Sequence, residues 1–315
     1  MEIDPAVTDW LLDGDPAIRW QVLRDLTDAP AAQVAGERAQ VADRGWGAQL
    51  LAAQDTDGRW DGGVYRPGWV NEQLPFFDAW TATHFTLQSL ADLGVDPSHP
   101  RVRRCVELVR DRVCWPDGRP YFQGESEPCS NGIAARSGAT LGQDVGAIVT
   151  TLLAGVLPDG GWNCDPGSRV SSFHSTLCAV EGLWAAERAG HPAAAVARPA
   201  GEEYLLQRKL FRRLSDGSVV DPRFLMLSFP VRWYYDVLRG LEHFRSVGRR
   251  DERLAEAVEL VRSRRRPDGR WNLELHHEGP QLVEFGAGEG RPDRWTTLRA
   301  LRVLRWWDVG DPAAP

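Results

Sequence analysis

The 315-residue chain has little cysteine and no excess of basic charge. Its five cysteines are an odd, sparse set without the close spacing of a disulfide framework, so we interpret them as reduced thiols of a cytoplasmic protein. The formal net charge is −7, and the 37 basic residues are scattered among 44 acidic ones. A nucleic-acid partner is not expected, because no basic face is available for a phosphate backbone.

Long apolar runs and a secretory signal are also missing. The longest nearly continuous apolar run, 147–157, is too short to cross a bilayer. The N-terminal sequence MEIDPAVTDWLLDGD is acidic and has no apolar core, unlike a signal peptide. We therefore expect a soluble protein without a transmembrane segment.

A short turn sequence recurs along the chain. Asp-Gly followed closely by Trp occurs at 57–60, 159–162 and 268–271, with a looser copy ending in Tyr at 117–121 and a bare Asp-Gly at 216–217. Successive glycines of these copies are 42 to 60 residues apart, a period that suits one helical hairpin with its connections. A segment with helical apolar spacing and a charged face precedes each turn, and a more apolar, aromatic-led segment follows it.

These segments predict an all-α fold in which outer, half-solvated helices alternate with inner ones. One or two further helices are expected within 1–45, and nothing resembles a linker, so we interpret 1–315 as a single domain. Hairpins of this kind bury their faces only against neighbours, which favours an open solenoid or a closed ring. The inner helices are expected at 80–93, 131–140, 174–189, 233–247 and 295–307.

The sequence GAQLLAAQDTDGRW at 47–60 resembles the QW motif of squalene and oxidosqualene cyclases. In that motif a glutamine caps a helix end and a tryptophan stacks on it, and here Gln54 and Trp60 match it. Val156 and Arg265 stand at the glutamine position in the copies that end at 162 and 271, so the motif is complete only once.

The chain as a whole is similar to the bacterial proteins called prenyltransferase or squalene-cyclase-like, most closely at 171–183, 221–245 and 294–307. This resemblance implies an α/α toroid of about five degenerate hairpins, the fold of terpenoid cyclases and of protein prenyltransferase β subunits. It also implies a central cavity for an apolar substrate.

One departure from the cyclases affects the expected chemistry. Class II cyclases that the chain resembles protonate an alkene with an Asp-x-Asp-Asp acid, and this sequence contains no Asp-Asp dipeptide. Cyclisation that begins with protonation is therefore not expected, and neither is the Asp-rich magnesium motif of ionisation-type terpene synthases.

Two cysteines and a histidine are the candidate metal ligands. Cys129 begins the second inner segment, Cys164 lies in the loop before the third, and His174 lies in the first turn of that helix. If consecutive hairpins are neighbours, these side chains converge at one rim, where protein prenyltransferases place their zinc. Two thiolates and an imidazole suit zinc, with Asp165, Glu127 or a water as the fourth ligand. Two alternatives stay open, namely ordinary core side chains and a metal-free nucleophile pair of thiol and imidazole.

The second candidate site is aromatic, and it consists of Trp80, His84, Trp233, Tyr234 and Trp295 near the inner-helix starts. Such side chains suit a cavity that binds a polyprenyl chain or another apolar small molecule and stabilises a developing carbocation. The alternative is that large residues simply fill the centre of a toroid.

Two functions follow from these features. The first is an isoprenoid-related enzyme, prenyltransferase-like or cyclase-like, that uses zinc. The second is a non-catalytic ligand-binding or scaffold toroid with a structural zinc site or none. A third arrangement, one half of a heterodimer with a helical partner protein, is implied by the resemblance to protein prenyltransferases. The substrate and product are not determined by the sequence.

Overall fold

All regular secondary structure is helical in the computed structural model of the protein, which describes residues 3–70 and 79–309. Within these ranges, backbone pairing of the β type is limited to isolated bridges. The predicted all-α class is confirmed. The α-helices are α1 Pro5–Leu12, α2 Pro16–Leu26, α3 Ala31–Ala39, α4 Gly45–Ala52, α5 Thr83–Leu93, α6 Pro100–Arg112, α7 Pro128–Thr140, α8 Gly146–Ala154, α9 Phe173–Arg188, α10 Arg198–Gln207, α11 Val237–Ser246, α12 Ala255–Ser263 and α13 Arg294–Val309.

The predicted inner helices correspond to α5, α7, α9, α11 and α13, but three of the predicted starts are wrong, and α7 begins at Pro128 rather than at residue 131. Trp80 and Trp233 lie before their helices, which begin at Thr83 and Val237. The residue before α5 has extended backbone angles, and α11 begins only where the side chain of Asp236 accepts a hydrogen bond as its N-cap. Apolar spacing does not reveal such boundaries, because the aromatic residues before each helix continue the same pattern.

The chain contacts divide into two compact units. Unit 1 comprises the described residues of Met1–Arg38, Tyr204–His277 and Phe285–Pro315, and unit 2 those of Ala39–Glu203 and Glu278–Glu284. Each unit buries its own set of apolar and aromatic side chains. The interpretation of 1–315 as a single domain, and the closure of the hairpins into a ring, stay predictions.

The three Asp-Gly-Trp turns make the same hydrogen bonds. Trp60, Trp162 and Trp271 are fully buried, and each indole N–H donates to the carbonyl ten residues earlier, at 2.7, 2.8 and 2.7 Å. That carbonyl belongs to the last turn of α4, α8 or α12, where it also accepts the N–H of the residue three positions later. The backbone N–H of each tryptophan donates to a threonine hydroxyl at the start of α5, α9 or α13. Each turn therefore fastens the end of one helix to the beginning of the next.

The glycine of each turn allows a neighbouring helix to approach closely. Gly58 has a φ of 89°, and a Cβ there would lie 2.7 Å from the carbonyl oxygen of Leu108 in α6. In unit 1, Gly269 has a φ of 78°, and a Cβ there would lie 2.9 Å from Cγ2 of Val7 in α1. Helix α1 therefore packs on the third Asp-Gly-Trp turn, which contains Gly269. In the same unit, α2 packs on α13.

Helices α7 and α9 of unit 2 pack backbone against backbone through two glycines. A Cβ at Gly132 would lie 2.1 Å from the carbonyl oxygen of Cys178, and one at Gly182 would lie 2.4 Å from the carbonyl oxygen of Gly132. No larger residue fits these positions without moving the helices apart. The two glycines therefore set the distance between α7 and α9, and the first turns of both helices lie at the same end of the pair.

We expect Gly132→Ala to lower the free energy of unfolding by about 1–3 kcal/mol, because the added methyl group must push α9 away from α7. Gly36→Ala in α3 is the matched control, since no atom lies within 4 Å of the added Cβ. It should be neutral or stabilising by up to about 1 kcal/mol, as a gain in helix propensity. Urea denaturation followed by far-UV circular dichroism measures both values, and equal stability of the two variants would contradict the packing described for Gly132.

Candidate functional site

Three potential metal ligands lie together in unit 2, and we call them the Glu-Cys-Cys cluster. The ligand atoms of Glu127, Cys129 and Cys164 all lie within 4.8 Å of one another. The two sulfur atoms are 2.6 Å apart, and Sγ of Cys129 is 3.8 Å from Oε2 of Glu127. The cluster therefore unites the two predicted cysteines with one of the two carboxylates considered as a fourth ligand.

The start of α7 positions two members of this cluster. Glu127 is the N-cap residue, and Pro128 follows at the first helical position, where its fixed φ suits the helix. Cys129 comes next, so its side chain lies in the first turn and is buried, while the carboxyl of Glu127 is half-buried. A sequence Glu-Pro-Cys at a helix start thus places a carboxylate and a thiol side by side.

The loop before α9 positions the third member. The N–H of Cys164 donates to Oγ of Ser175 in the first turn of α9, at 3.2 Å. Sγ of Cys164 accepts hydrogen bonds from the Ser175 hydroxyl at 3.2 Å and from the N–H of Cys129 at 3.4 Å. A further hydrogen bond joins the sulfur atoms of the two cysteines. The hydroxyl of Ser175 and the N–H of Cys129 thus both donate to Cys164, an arrangement that stabilises a thiolate.

The two thiols of the cluster differ in acidity. The hydrogen bond from Cys129 lowers the pKa of Cys164 against the opposing effect of burial, and Ser175 adds to that effect. The same hydrogen bond, together with burial, raises the pKa of Cys129 well above its usual value. Burial also raises the pKa of Glu127. Cys164 therefore ionises at a lower pH than Cys129. Its thiolate is then stabilised by a hydrogen bond from the thiol of Cys129, which keeps its proton.

His174 lies in the first turn of α9, as predicted, and is half-buried. It is not one of the three residues whose ligand atoms lie within 4.8 Å of one another. Consecutive residues of a helix are about 100° apart around its axis, and in α9 it is Ser175 that faces Cys164. The role of His174 as a ligand stays a prediction. Asp165 accepts a hydrogen bond from the N–H of Gly167 at 2.9 Å.

His84 is fully buried in an aromatic cluster of unit 2. Its Nδ1 lies 2.9 Å from the hydroxyl oxygen of Tyr121, and its ring also contacts Tyr65, Phe85 and Trp115. Within the described part of the chain, Nε2 is buried without a hydrogen-bond partner. Burial lowers the pKa of His84 from 6.5 to about 3, so the imidazole is neutral at pH 7.

Tyr65 belongs to this aromatic cluster and interacts electrostatically with the Glu-Cys-Cys cluster. Its ring centroid lies 5.2 Å from that of His84 and 5.1 Å from that of Phe85. Burial raises the pKa of the Tyr65 hydroxyl, and the negative charges of Cys129 and Glu127 raise it further. Tyr65 was not among the predicted residues, because it lies in a variable loop that no motif marks.

The predicted aromatic residues fall into separate groups. In unit 2, Trp80 is packed edge to face on Phe85 at 4.9 Å, and its indole N–H donates to the carbonyl of Glu278. In unit 1, the ring of Trp233 stacks on Tyr234 at 3.9 Å. Trp295 of unit 1 is buried and stacks on Phe229 at 4.4 Å. Their joint role as the lining of one substrate cavity stays a prediction.

Comparison with known proteins yields similarity only at the level of solved structures. No protein-family model matches the chain, and no curated protein sequence matches it. A protein from Actinoplanes is similar over 92% of this chain and 89% of its own, with 20% identity and a TM-score of 0.45. The type II terpene cyclase MstE from Scytonema is similar over 95% of this chain and 86% of its own, with 17% identity and a TM-score of 0.41.

A variant of the same cyclase, in complex with its substrate geranylgeranyl dihydroxybenzoate, is similar over 95% of this chain and 85% of its own, with 16% identity and a TM-score of 0.40. At these values the similarity carries no argument about activity, substrate or site. Separately, none of the helices in 3–70 and 79–309 combines the length and the apolar character that a membrane span needs.

The buried His84 should make stability depend on pH. The unfolded chain takes up a proton at this position below about pH 6.5, whereas the folded protein does so only near pH 3. The contribution of His84 to the free energy of unfolding is therefore complete above the pKa that this histidine has in the unfolded chain. It is lost as the pH falls below that value, by up to about 1.4 kcal/mol per pH unit. We expect His84→Asn to reduce the pH slope of the unfolding free energy between about pH 4 and 6 by that amount.

Urea denaturation at several pH values measures this slope. Tyr121→Phe is the control, because it removes the hydrogen bond to Nδ1 but leaves the imidazole buried, and it should keep the wild-type slope. A His84→Asn variant with an unchanged slope would show that the imidazole is not buried in its neutral form.

Proposed function

We propose that the protein binds zinc through Glu127, Cys129 and Cys164 and holds an apolar molecule of the isoprenoid class against the adjacent aromatic side chains. The Glu-Cys-Cys cluster is the observation that carries this proposal, because three potential ligands meet there within 4.8 Å. Two sulfurs and a carboxylate oxygen belong to the donor set that zinc prefers.

The geometry of the cluster fits this metal after a small adjustment. Two sulfurs bound to one tetrahedral zinc lie about 3.7 Å apart, since each zinc–sulfur bond measures about 2.3 Å. A sulfur and a carboxylate oxygen on the same zinc lie about 3.5 Å apart. The 3.8 Å between Sγ of Cys129 and Oε2 of Glu127 is close to that, whereas the two sulfurs, at 2.6 Å, would have to move apart. Zinc would displace the protons of both thiols and hold each sulfur as a thiolate at its own bond distance.

Three protein ligands leave one tetrahedral position open. A catalytic zinc keeps such a position for a water or a substrate, and when bound it activates a coordinated water, hydroxyl or thiol as a nucleophile. His174, in the first turn of α9, is the predicted residue that would close this position instead. The choice between the two decides whether the site is catalytic or structural.

The apolar part of the proposal rests on the aromatic side chains beside the cluster. Tyr65, His84, Phe85 and Trp115 contact one another in unit 2, and their ring faces favour an apolar chain or a developing carbocation. The sequence resemblance to prenyltransferase and squalene-cyclase-like proteins supports the same class of ligand. Because the chain has no Asp-Asp dipeptide and has a thiolate cluster, prenyl transfer is favoured over cyclisation that begins with protonation.

A non-catalytic function is the second candidate, and one observation favours it. Two thiolates and a carboxylate donate much negative charge to a zinc ion and make it a weaker Lewis acid. The cluster also connects the start of α7 with the loop before α9, as a structural metal would. In this case the protein binds its ligand without converting it.

Purified protein should bind one zinc ion per chain, measured by mass spectrometry of the metal content after dialysis. Glu127→Gln, Cys129→Ser and Cys164→Ser should each weaken binding at least about 10-fold in competition with a chromogenic chelator, because each removes a ligand. Cys114→Ser is the control, since that half-buried thiol is not a member of the cluster.

The variant His174→Ala tests the fourth ligand, and it should lower zinc affinity only if the imidazole closes the site. Wild-type protein that retains no zinc after incubation with the metal would refute the zinc proposal.

Farnesol binding tests the aromatic part of the proposal. Tyr65→Ala should weaken binding at least about 10-fold, which corresponds to the loss of about 1.4 kcal/mol of ring contact. Tyr65→Phe keeps the ring and should bind like the wild type. Quenching of tryptophan fluorescence measures both.

Equal affinity of the two Tyr65 variants would contradict the proposed contact. Farnesyl diphosphate as the probe distinguishes the two functions. If the protein is an enzyme, Cys164→Ser should still bind this probe but no longer convert it. If the protein is not an enzyme, the wild type and every variant should bind the probe without converting it.

A further inference from the structure

The two sulfur atoms of the Glu-Cys-Cys cluster lie closer together than two sulfur ligands of one zinc ion would. Sγ of Cys129 and Sγ of Cys164 are 2.6 Å apart, only about 0.6 Å more than the bond length of a disulfide. They are 35 residues apart in the sequence and are brought together by α7 and by the loop before α9. To form a bond, the two sulfur atoms need to approach each other by about 0.6 Å.

The two thiols occupy unequal positions. Cys164 is half-buried, so a small oxidant reaches it, and its sulfur accepts hydrogen bonds from the N–H of Cys129 and the hydroxyl of Ser175. Cys129 is 7% exposed and lies behind it. Redox-sensitive cysteines have this arrangement, in which an accessible thiolate is held next to a second, resolving thiol.

We infer that Cys129 and Cys164 form a reversible disulfide when the protein meets a hydroperoxide. The thiolate of Cys164 attacks one oxygen of hydrogen peroxide, the O–O bond breaks, and hydroxide leaves and becomes water with the proton that Cys164 had released. Cys164 is then a sulfenic acid, oxidised at the expense of the peroxide.

The sulfur of Cys129 completes the reaction. It gives up its proton, for which the carboxylate of Glu127 at 3.8 Å is the nearby acceptor, and attacks Sγ of Cys164. The S–O bond breaks, the S–S bond forms, and the departing hydroxide becomes a second water with the Cys129 proton. In total two thiols are oxidised and one peroxide is reduced to two waters.

This inference does not rest on zinc binding, because the oxidation needs only the two sulfurs and the peroxide. The two states exclude each other, since a disulfide leaves neither sulfur as a thiolate for a metal. If the zinc proposal also holds, the oxidised protein is the form that has lost two of its three metal ligands.

Thiol counting in metal-free protein tests the disulfide directly. The folded chain is treated with hydrogen peroxide, the remaining thiols are alkylated under denaturing conditions, and the intact mass is measured. We expect the number of alkylated thiols to fall from five to three in the wild type, and to return to five after treatment with dithiothreitol. Digestion after Arg and Glu residues separates Cys114 from Cys129, because Glu125 and Glu127 lie between them. The peptides joined by the new bond should then contain Cys129 and Cys164.

Single variants separate the two steps. In Cys129→Ser, oxidised Cys164 has no resolving partner and should be trapped by dimedone as a sulfenic acid, whereas Cys164→Ser should keep its four thiols. Cys114→Ser should form the same disulfide as the wild type. Cys105 is an internal reference in every sample, because burial raises the pKa of its thiol to about 12. The inference would be overturned if the wild type kept five thiols after peroxide treatment, or if the disulfide joined any other pair of cysteines. Both outcomes are read in the wild type, so they decide the question even if a variant fails to fold.

Discussion

The close contact of α7 and α9 at Gly132 determines where the candidate site lies. Because the carbonyl oxygen of Cys178 occupies the place of a side chain at this glycine, the two helices approach to a distance set by their backbones. The first turns of both helices then lie side by side, and Cys129, Ser175 and the loop that carries Cys164 meet there. The hydrogen bonds that distinguish the two thiols depend on this spacing, so the acidity of Cys164 is a property of the helix packing.

The sequence was sufficient for the helical class and for the helices that precede and follow the Asp-Gly-Trp turns, because these turns and the apolar spacing are local signals. It also placed His174 in the first turn of α9, since Ser172 is a recognisable N-cap. The proximity of Cys129 and Cys164 followed from treating consecutive hairpins as neighbours. Neighbouring hairpins bring their helix starts together, but hairpin order specifies such a contact only to about one helix turn.

Finer detail lay beyond the sequence for physical reasons. Whether Ser175 or its neighbour His174 faces Cys164 depends on a rotation of about 100° around α9, which a repeat pattern does not specify. Glu127 and Asp165 were equal candidates for the fourth ligand until the start of α7 placed the Glu127 carboxylate 3.8 Å from a thiol. Tyr65 lies in a loop whose course depends on contacts with α5, and the starts of α5 and α11 depend on caps that apolar spacing does not show.

The tryptophan turns have a consequence for how such a protein changes during evolution. Each turn fixes both ends of the loop that follows it, since the tryptophan holds the preceding helix and its backbone N–H holds a threonine of the next one. The two residues joined in this way are 23, 14 and 26 positions apart in the three copies. Loop length is therefore free to vary while the helices stay in place. Tyr65 and Cys164 both lie in these loops, so insertions and deletions there can alter the chemistry of the site without a cost to the helical framework.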